Sequence, residues 1–237
     1  MAKFRSSSYS LFGQRQTARL AEEDSVVVIG LGRFGSALAL ELMDSGTEVL
    51  GIDGDEEIVQ AHNRLLTHVV RADSTKEETL RQLSVPEFSS VVVAIGSDIQ
   101  ANILTASLLI KMGIPNIWAK AVSEPHGEIL RQLGVKHVIS PEKDMGKRVA
   151  HLVRGVMQDY IDIGEDFALV KTAPPQEILG KPLSETRVRT VHGITVTAFH
   201  RAGQGWSYAT METVILAGDI ILVAGQTERV ESFSRLP

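Results

Sequence analysis

From Ser25 onward, apolar and polar positions alternate in two regular textures. Short β-branched runs read as strands: VVVI at 26–29, EVLGI at 48–52, HVVR at 68–71, VVVAI at 91–95, IWAKA at 117–121 and HVI at 137–139. Near-continuous apolar strands suit a sheet covered on both faces. The stretches between them carry helical spacing, and strands alternating with helices imply right-handed crossovers and a parallel sheet. The expected first domain is a Rossmann-like, doubly wound α/β fold.

The helix ends are readable. The first helix is expected to open at a glycine-rich turn and to stop before Gly46, burying Leu38, Leu42 and Met43. Thr75 to Glu78 fits a capping box for a later helix. Ile99–Met112 stops at Gly113 with Pro115 beyond, and Pro125–Leu133 stops at Gly134. A sixth helix begins at Pro141, with Ser140 as its N-cap. Its apolar stripe (Met145, Val149, Leu152, Val153, Val156) continues past the end of the sheet, so it is expected to cross to a second domain or another subunit.

From about Tyr160 the texture changes. Phe167–Thr172, Ile194–His200, Val214–Leu216 and Ile220–Ala224 read as strands, with a turn at Ala217-Gly218-Asp219. Gln176–Thr186 reads as a short helical or turn segment and Glu228–Phe233 as a last helix. Three parts are expected: a basic flexible head over 1–23, the Rossmann-like N domain with its crossover helix over 24–157, and a small α+β C domain over 158–237.

Composition narrows the function classes. Of 237 residues, 43% are hydrophobic and 22% charged, which excludes a disordered chain. No apolar run approaches the ~20 residues of a membrane span, and residues 1–20 hold no apolar core of a secretory signal. There are no cysteines, which removes disulfides, zinc–thiolate sites and cysteine nucleophiles and makes a reducing cytosol the expected setting. The net charge of −5 argues against nucleic acid as a partner. The serine-rich head nevertheless carries Lys3, Arg5, Arg15 and Arg19 and no acid over its first 20 residues. It reads either as a tail without a role or as a contact for an acidic partner or membrane surface.

The sharpest motif is Gly30-Leu31-Gly32-Arg33-Phe34-Gly35. A lone G-x-G-x-x-G is weak. Here it follows an apolar strand, opens a helix and precedes an acid, Asp53, at the end of the next strand. Gly30 permits the tight turn, Gly32 lets backbone approach a pyrophosphate, and Gly35 allows close helix–strand packing. The helix start offers unpaired N–H groups to phosphates. Asp53 suits a ribose diol and disfavours a 2′-phosphate. Arg33 is placed to reach phosphate oxygens, a third phosphate included. Other strand ends should complete the crevice. Asp73 either accepts from an adenine amino group or caps the next helix, and Gly96 permits close backbone approach. Lys120, on the fifth strand, needs a carboxylate or phosphate, and Glu142 is one such partner.

Signs of catalysis are sparse. No G-x-S-x-G, G-x-x-x-x-G-K-[ST] or H-E-x-x-H occurs, and the seven histidines show no metal-ligand spacing. A nucleotide site without evident catalytic groups suggests sensing, not an enzyme.

Four segments together resemble the RCK family, the regulator-of-potassium-conductance or TrkA-type (KTN) proteins. They are Val28–Gly35, Ala94–Ala121 at both of its ends (AIGSDIQA and IPNIWAKA), and Pro141–Gly146. The likeness is greatest to the cytosolic gating subunits of Ktr-type potassium transporters and covers about residues 24–237. It implies homodimers assembled into an octameric ring beneath a membrane-embedded potassium-translocating subunit. It further implies ATP or ADP, and in some members NAD or NADH, at the glycine-rich site. On this chain Gly30, Leu31, Gly32, Arg33, Phe34 and Gly35 would hold phosphates and Asp53 the ribose. Ala72, Asp73, Ile95, Gly96 and Ser97 would surround the base and sugar, with Lys120 and His126 as lesser candidates. Glu142 matches a glutamate that helps hold a divalent cation, Mg²⁺ or Ca²⁺, beside ATP. That favours the cation role over the Lys120 pairing. Some relatives bind cyclic di-AMP in the C domain. The expected function is a nucleotide-gated regulatory subunit at the inner face of the membrane. The alternatives are an NAD-dependent oxidoreductase and a stand-alone nucleotide or redox sensor.

Overall fold

The structure, a computed structural model, describes residues 25–154 and 157–237. The expected basic head and Val156 of the apolar stripe lie outside the described residues. The chain divides into two units, one ending at Glu142 and one running from Lys143 to Pro237.

In the first unit six strands form one parallel sheet in the order β3-β2-β1-β4-β5-β6. They are β1 (Ser25–Ile29), β2 (Glu48–Asp53), β3 (His68–Arg71), β4 (Ser90–Val93), β5 (Asn116–Lys120) and β6 (His137–Ile139). Helices α1 (Arg33–Asp44), α2 (Glu56–His62), α3 (Glu77–Gln82), α4 (Ile99–Lys111) and α5 (Glu124–Leu133) connect them. Strand order reverses between β1 and β4, and the crevice of such a sheet opens outside the carboxyl ends at that point. Both faces of the sheet are buried. Val27, Ile29, Leu50, Ile52, Val91 and Val93 belong to one cluster, while Val28, Val49, Leu66 and Ala39 belong to another.

Two local expectations are corrected. Helix α1 buries its small residues, Gly35 and Ala39, while Leu42 and Met43 pack half-buried at its margin and Leu38 stays outside that cluster. Small side chains let the helix approach the sheet closely, so its larger residues sit to the side. The capping box at Thr75 does not form. The Thr75 N–H and hydroxyl both donate to Asp73 Oδ1 (3.0 and 2.6 Å), and α3 starts only at Glu77. The Asp73 side chain takes the local turn, so the threonine is not free to cap.

In the second unit α6 (Pro141–Arg154), which begins just before the boundary, leads into β7 (Met157–Gly164). The other strands are β8 (Phe167–Thr172), β9 (Ile194–Arg201), β10 (Gly205–Tyr208) and β11 (Ile220–Gln226). They form an antiparallel sheet in the order β10-β9-β11-β8-β7. Short helices α7 (Leu183–Thr186) and α8 (Val188–Val191) and the terminal α9 (Thr227–Ser234) complete the unit. Its core holds Tyr160, Val170, Ile178, Ile194, Val223 and Phe233. Strands β7 and β10 were not expected from the sequence. Val214–Leu216, expected as a strand, contributes only an isolated bridge between Val214 and Pro182.

Candidate functional site

A crevice of about 760 Å³ lies at the carboxyl ends of the parallel strands. That volume falls in the ~300–1,000 Å³ range of small-molecule and cofactor sites. Its wall includes Gly30, Gly32, Arg33 and Phe34 from the glycine-rich turn, Asp53 from β2, and Ala72 and Asp73 after β3. Ile95, Gly96 and Ser97 follow β4, Lys120 ends β5, and Glu142 lies in the first turn of α6. These twelve positions, dispersed from 30 to 142 in the sequence, converge on one cavity.

The turn has the geometry its glycines suggest. Gly30 sits at φ +91°, where glycine is at ease, and a Cβ there would come 2.8 Å from the Ile95 nitrogen. A Cβ on Gly35 would lie 1.9 Å from the Gly30 carbonyl oxygen, so this glycine sits where α1 crosses the turn. Gly32 is the N-cap of α1, and a Cβ there would meet nothing within 4 Å. The space before the helix start is therefore open to a ligand. The first-turn amides of a helix have no intrahelical acceptor, and with the positive dipole end they favour an anion there.

Asp53 braces the turn as well as lining the crevice. Its Oδ2 accepts from Leu31 N at 2.7 Å, and its Oδ1 accepts from Asp55 N at 2.9 Å. A carboxylate has about four acceptor sites, so about two remain for hydroxyl donors. Leu31 itself is buried beneath the turn, outside the cavity wall. Gly35 likewise packs behind it.

Two cations, Arg33 and Lys120, face the crevice. Lys120 is only 8% exposed, lies 5.7 Å from the centre of the Phe34 ring, and donates to Glu142 Oε1 at 2.5 Å. The Lys120 ammonium holds the Glu142 carboxyl below its ordinary pKa; desolvation opposes this, and the Arg33 charge adds a smaller pull. Glu142 thus answers Lys120 directly, the pairing that the family resemblance had made the lesser expectation. Because the Glu142 side chain is 64% exposed, the pair contributes at most ~1 kcal/mol to stability. Asp73 is held below the usual carboxylate range first by the Thr75 hydroxyl and then by the Thr75 amide. It lines the cavity and does not cap α3, whose N-cap is Lys76.

His126 stands behind the wall. It is 2% exposed, its Nδ1 accepts from Val122 N at 3.3 Å, and its Nε2 has no hydrogen-bond partner. Burial lowers its pKa, so the ring is neutral. Residues not anticipated from the sequence also line the cavity: Gly54 and Asp55 beside Asp53, Ser74 and Thr75 beside Asp73, and Val122 beyond Lys120. They flank Asp53, Asp73 and Lys120 at the strand ends, where ligands of such sheets lie, and that adjacency is their signal in the sequence. Among the described residues, no group of three or more His, Asp or Glu side chains is arranged to hold a metal ion.

Comparison with known proteins decides the family. Residues 26–141 match the TrkA-N domain and residues 167–237 the TrkA-C domain. The chain belongs to the TrkA-type (RCK) family. Ktr system potassium uptake protein C of Bacillus subtilis (strain 168) is 35% identical over 209 residues, covering 88% of this chain and 95% of the relative. Protein A of the same system and organism is 36% identical over 207 residues, covering 87% and 93%. Among solved structures, the GsuK RCK domain aligns with 91% of this RCK chain and 48% of its own length, at a TM-score of 0.62 and 17% identity. That likeness speaks to the fold alone. Among the described residues, no helix is long and apolar enough to cross a membrane.

Proposed function

We propose that this RCK chain is the regulatory subunit of a membrane potassium transporter, acting from the cytoplasmic face and switched by ATP and ADP. The observation that carries the nucleotide reading is the open space at Gly32, at the start of α1, with Asp53 and Arg33 on the same crevice. Its relatives are named for potassium uptake, which supplies the transporter. NAD or NADH fits the same turn and is the alternative occupant.

In this reading the helix start receives the phosphates, Asp53 the ribose, and Arg33 the third phosphate that distinguishes ATP from ADP. A ligand shifts a conformational equilibrium only through differential affinity. A ratio of ~100 between two states supplies ~2.7 kcal/mol per site. Among the described residues no site is built for a metal, so Mg²⁺ or Ca²⁺ would be held by nucleotide phosphates with Glu142, which must then leave Lys120. Met145, Val149 and Val153 remain exposed along α6, which supports a helix-mediated homodimer as the unit of the octameric ring. The role is regulatory, not enzymatic. Cyclic di-AMP is the probe for a second ligand in the C-terminal unit.

The test is potassium flux in proteoliposomes containing a Ktr-type translocating subunit with and without this chain. Flux is expected to depend on the chain and to change when ATP replaces ADP. Flux indifferent to both would refute the proposal. Binding of NADH alone, with turnover of a substrate, would move the oxidoreductase reading ahead.

A further inference from the structure

We infer that Asn102, in the first turn of α4, is a positioning residue for the Lys120 side of the crevice; this rests on the nucleotide reading above. The β4–β5 ladder ends at Val93 opposite Ala119, short of Ile95 and Lys120. Beyond that point the Asn102 side chain ties them together. Asn102 Nδ2 donates to Ile95 O at 2.7 Å and to Lys120 O at 3.1 Å.

The chemistry of this clamp is restrictive. Two carbonyl oxygens brought to one place repel each other, and a group with two hydrogens on one atom is required to bridge them. An amide –NH₂ supplies that; a hydroxyl has one hydrogen and a carboxylate none. Asn102 is fully buried, and its own backbone N–H donates to Asp98 O at 3.1 Å, which fixes the side chain's root. Its Oδ1 has no hydrogen-bond partner. An unmet buried acceptor costs stability, so an amide is a poor choice if filling space were its only task. Its use is in what the two tips carry. From one comes Gly96, where a Cβ would lie 3.1 Å from Lys120 Nζ; from the other comes Lys120 itself. Their separation sets whether the Lys120 ammonium reaches an anion in the crevice, and Asn102 sets their separation.

The experiment is a double-mutant cycle on nucleotide affinity in the full chain, with ATP and ADP titrated calorimetrically into wild type, Asn102→Ala, Lys120→Met and the double variant. A merely structural role lowers affinity by the same factor in both backgrounds. A positioning role acts through Lys120, and its effect shrinks when Lys120 is gone. The expected result is an Asn102→Ala loss of about tenfold with Lys120 present, the equivalent of one hydrogen bond, and under about threefold in the Lys120→Met background. If Asn102→Ala does not fold, Asn102→Ser, which can hold only one tip, runs the same cycle with an expected loss of about threefold. No loss, or equal losses in both backgrounds, overturns the inference while leaving the nucleotide reading intact. A wild-type chain that binds neither nucleotide refutes that reading and the inference with it.

Discussion

Two glycines three positions apart separate packing from binding. A Cβ added at Gly35 would stand 1.9 Å from the Gly30 carbonyl oxygen and 3.1 Å from Ala94 Cβ. Real Cβ contacts stay beyond 3.0 Å, so α1 or the turn must move by about an ångström. Overpacking of this kind costs ~1–3 kcal/mol or more, and alanine's better helix propensity returns up to ~1 kcal/mol. The expected net loss is about 2 kcal/mol. Because the Gly30 N–H bond to Ile52 O (2.8 Å) is tied to the same turn, binding falls too. Gly32 is the opposite case. Its φ of −65° and ψ of −173° suit alanine, and the added methyl meets nothing within 4 Å. Reduced unfolded-state entropy stabilises by ~0.4–1 kcal/mol, while loss of a good N-cap costs about as much. Stability should therefore stay within about 1 kcal/mol of wild type. The methyl nevertheless enters the space before the helix start, so ATP affinity should fall at least about tenfold, or ~1.4 kcal/mol. Urea denaturation followed by circular dichroism gives the stabilities, and calorimetry gives the affinities. An unchanged denaturation midpoint for Gly35→Ala, or ATP binding by Gly32→Ala as tight as wild type, would refute this division of roles.

Other consequences follow from named contacts. Glu142→Gln should abolish any enhancement of ATP affinity by Mg²⁺; an unaltered metal titration would contradict the cation role. His126 has its pKa lowered from 6.5 by burial, as has His68. Below about pH 6.5 the unfolded chain binds protons that the folded one refuses, so stability should decline as pH falls from about 7 toward 5. His126→Asn, which keeps an acceptor near Val122 N, should flatten that decline in denaturation measured across the range; an unchanged slope would remove His126 as a cause. In the C-terminal unit Asp219, 4% exposed, takes two bonds from Arg201 (2.8 and 2.6 Å) and one from Leu216 N (2.9 Å). Asp219→Ala strands these donors and should cost ~2–4 kcal/mol in that unit by hydrogen exchange; a change under about 0.5 kcal/mol would show the bonds to be dispensable.

The first unit was the more legible because its strands are buried on both faces. Runs such as Val26–Ile29 and Val91–Ala94 have no polar alternation to obscure them, and Gly46, Gly113 and Gly134 mark three helix ends. The phosphate turn was legible because glycines serve local geometry. The second unit hid two strands. β7 (MQDYIDIG) lies at the sheet edge with mostly exposed residues, and its hairpin turns through Glu165 and Asp166, both at positive φ. Asn-Gly would have announced that turn; Glu-Asp does not. β10 (GWSY) has three of its four residues exposed and no apolar run to mark it. Contacts between distant segments were beyond spacing arguments altogether. The clamp of Asn102 on Ile95 and Lys120 depends on which two strand ends lie side by side beneath α4. The Lys120–Glu142 pair was one of two options until the fold placed the two side chains together.

In the proposed function this chain distinguishes nucleotides by their third phosphate at the α1 start. Calorimetric titration of ATP and ADP into wild type and Arg33→Ala tests it most directly. Wild type is expected to bind both, and Arg33→Ala to weaken ATP at least about tenfold more than ADP, a difference of ~1.4 kcal/mol. Equal losses for the two nucleotides, or no binding of either by wild type, would contradict the claim.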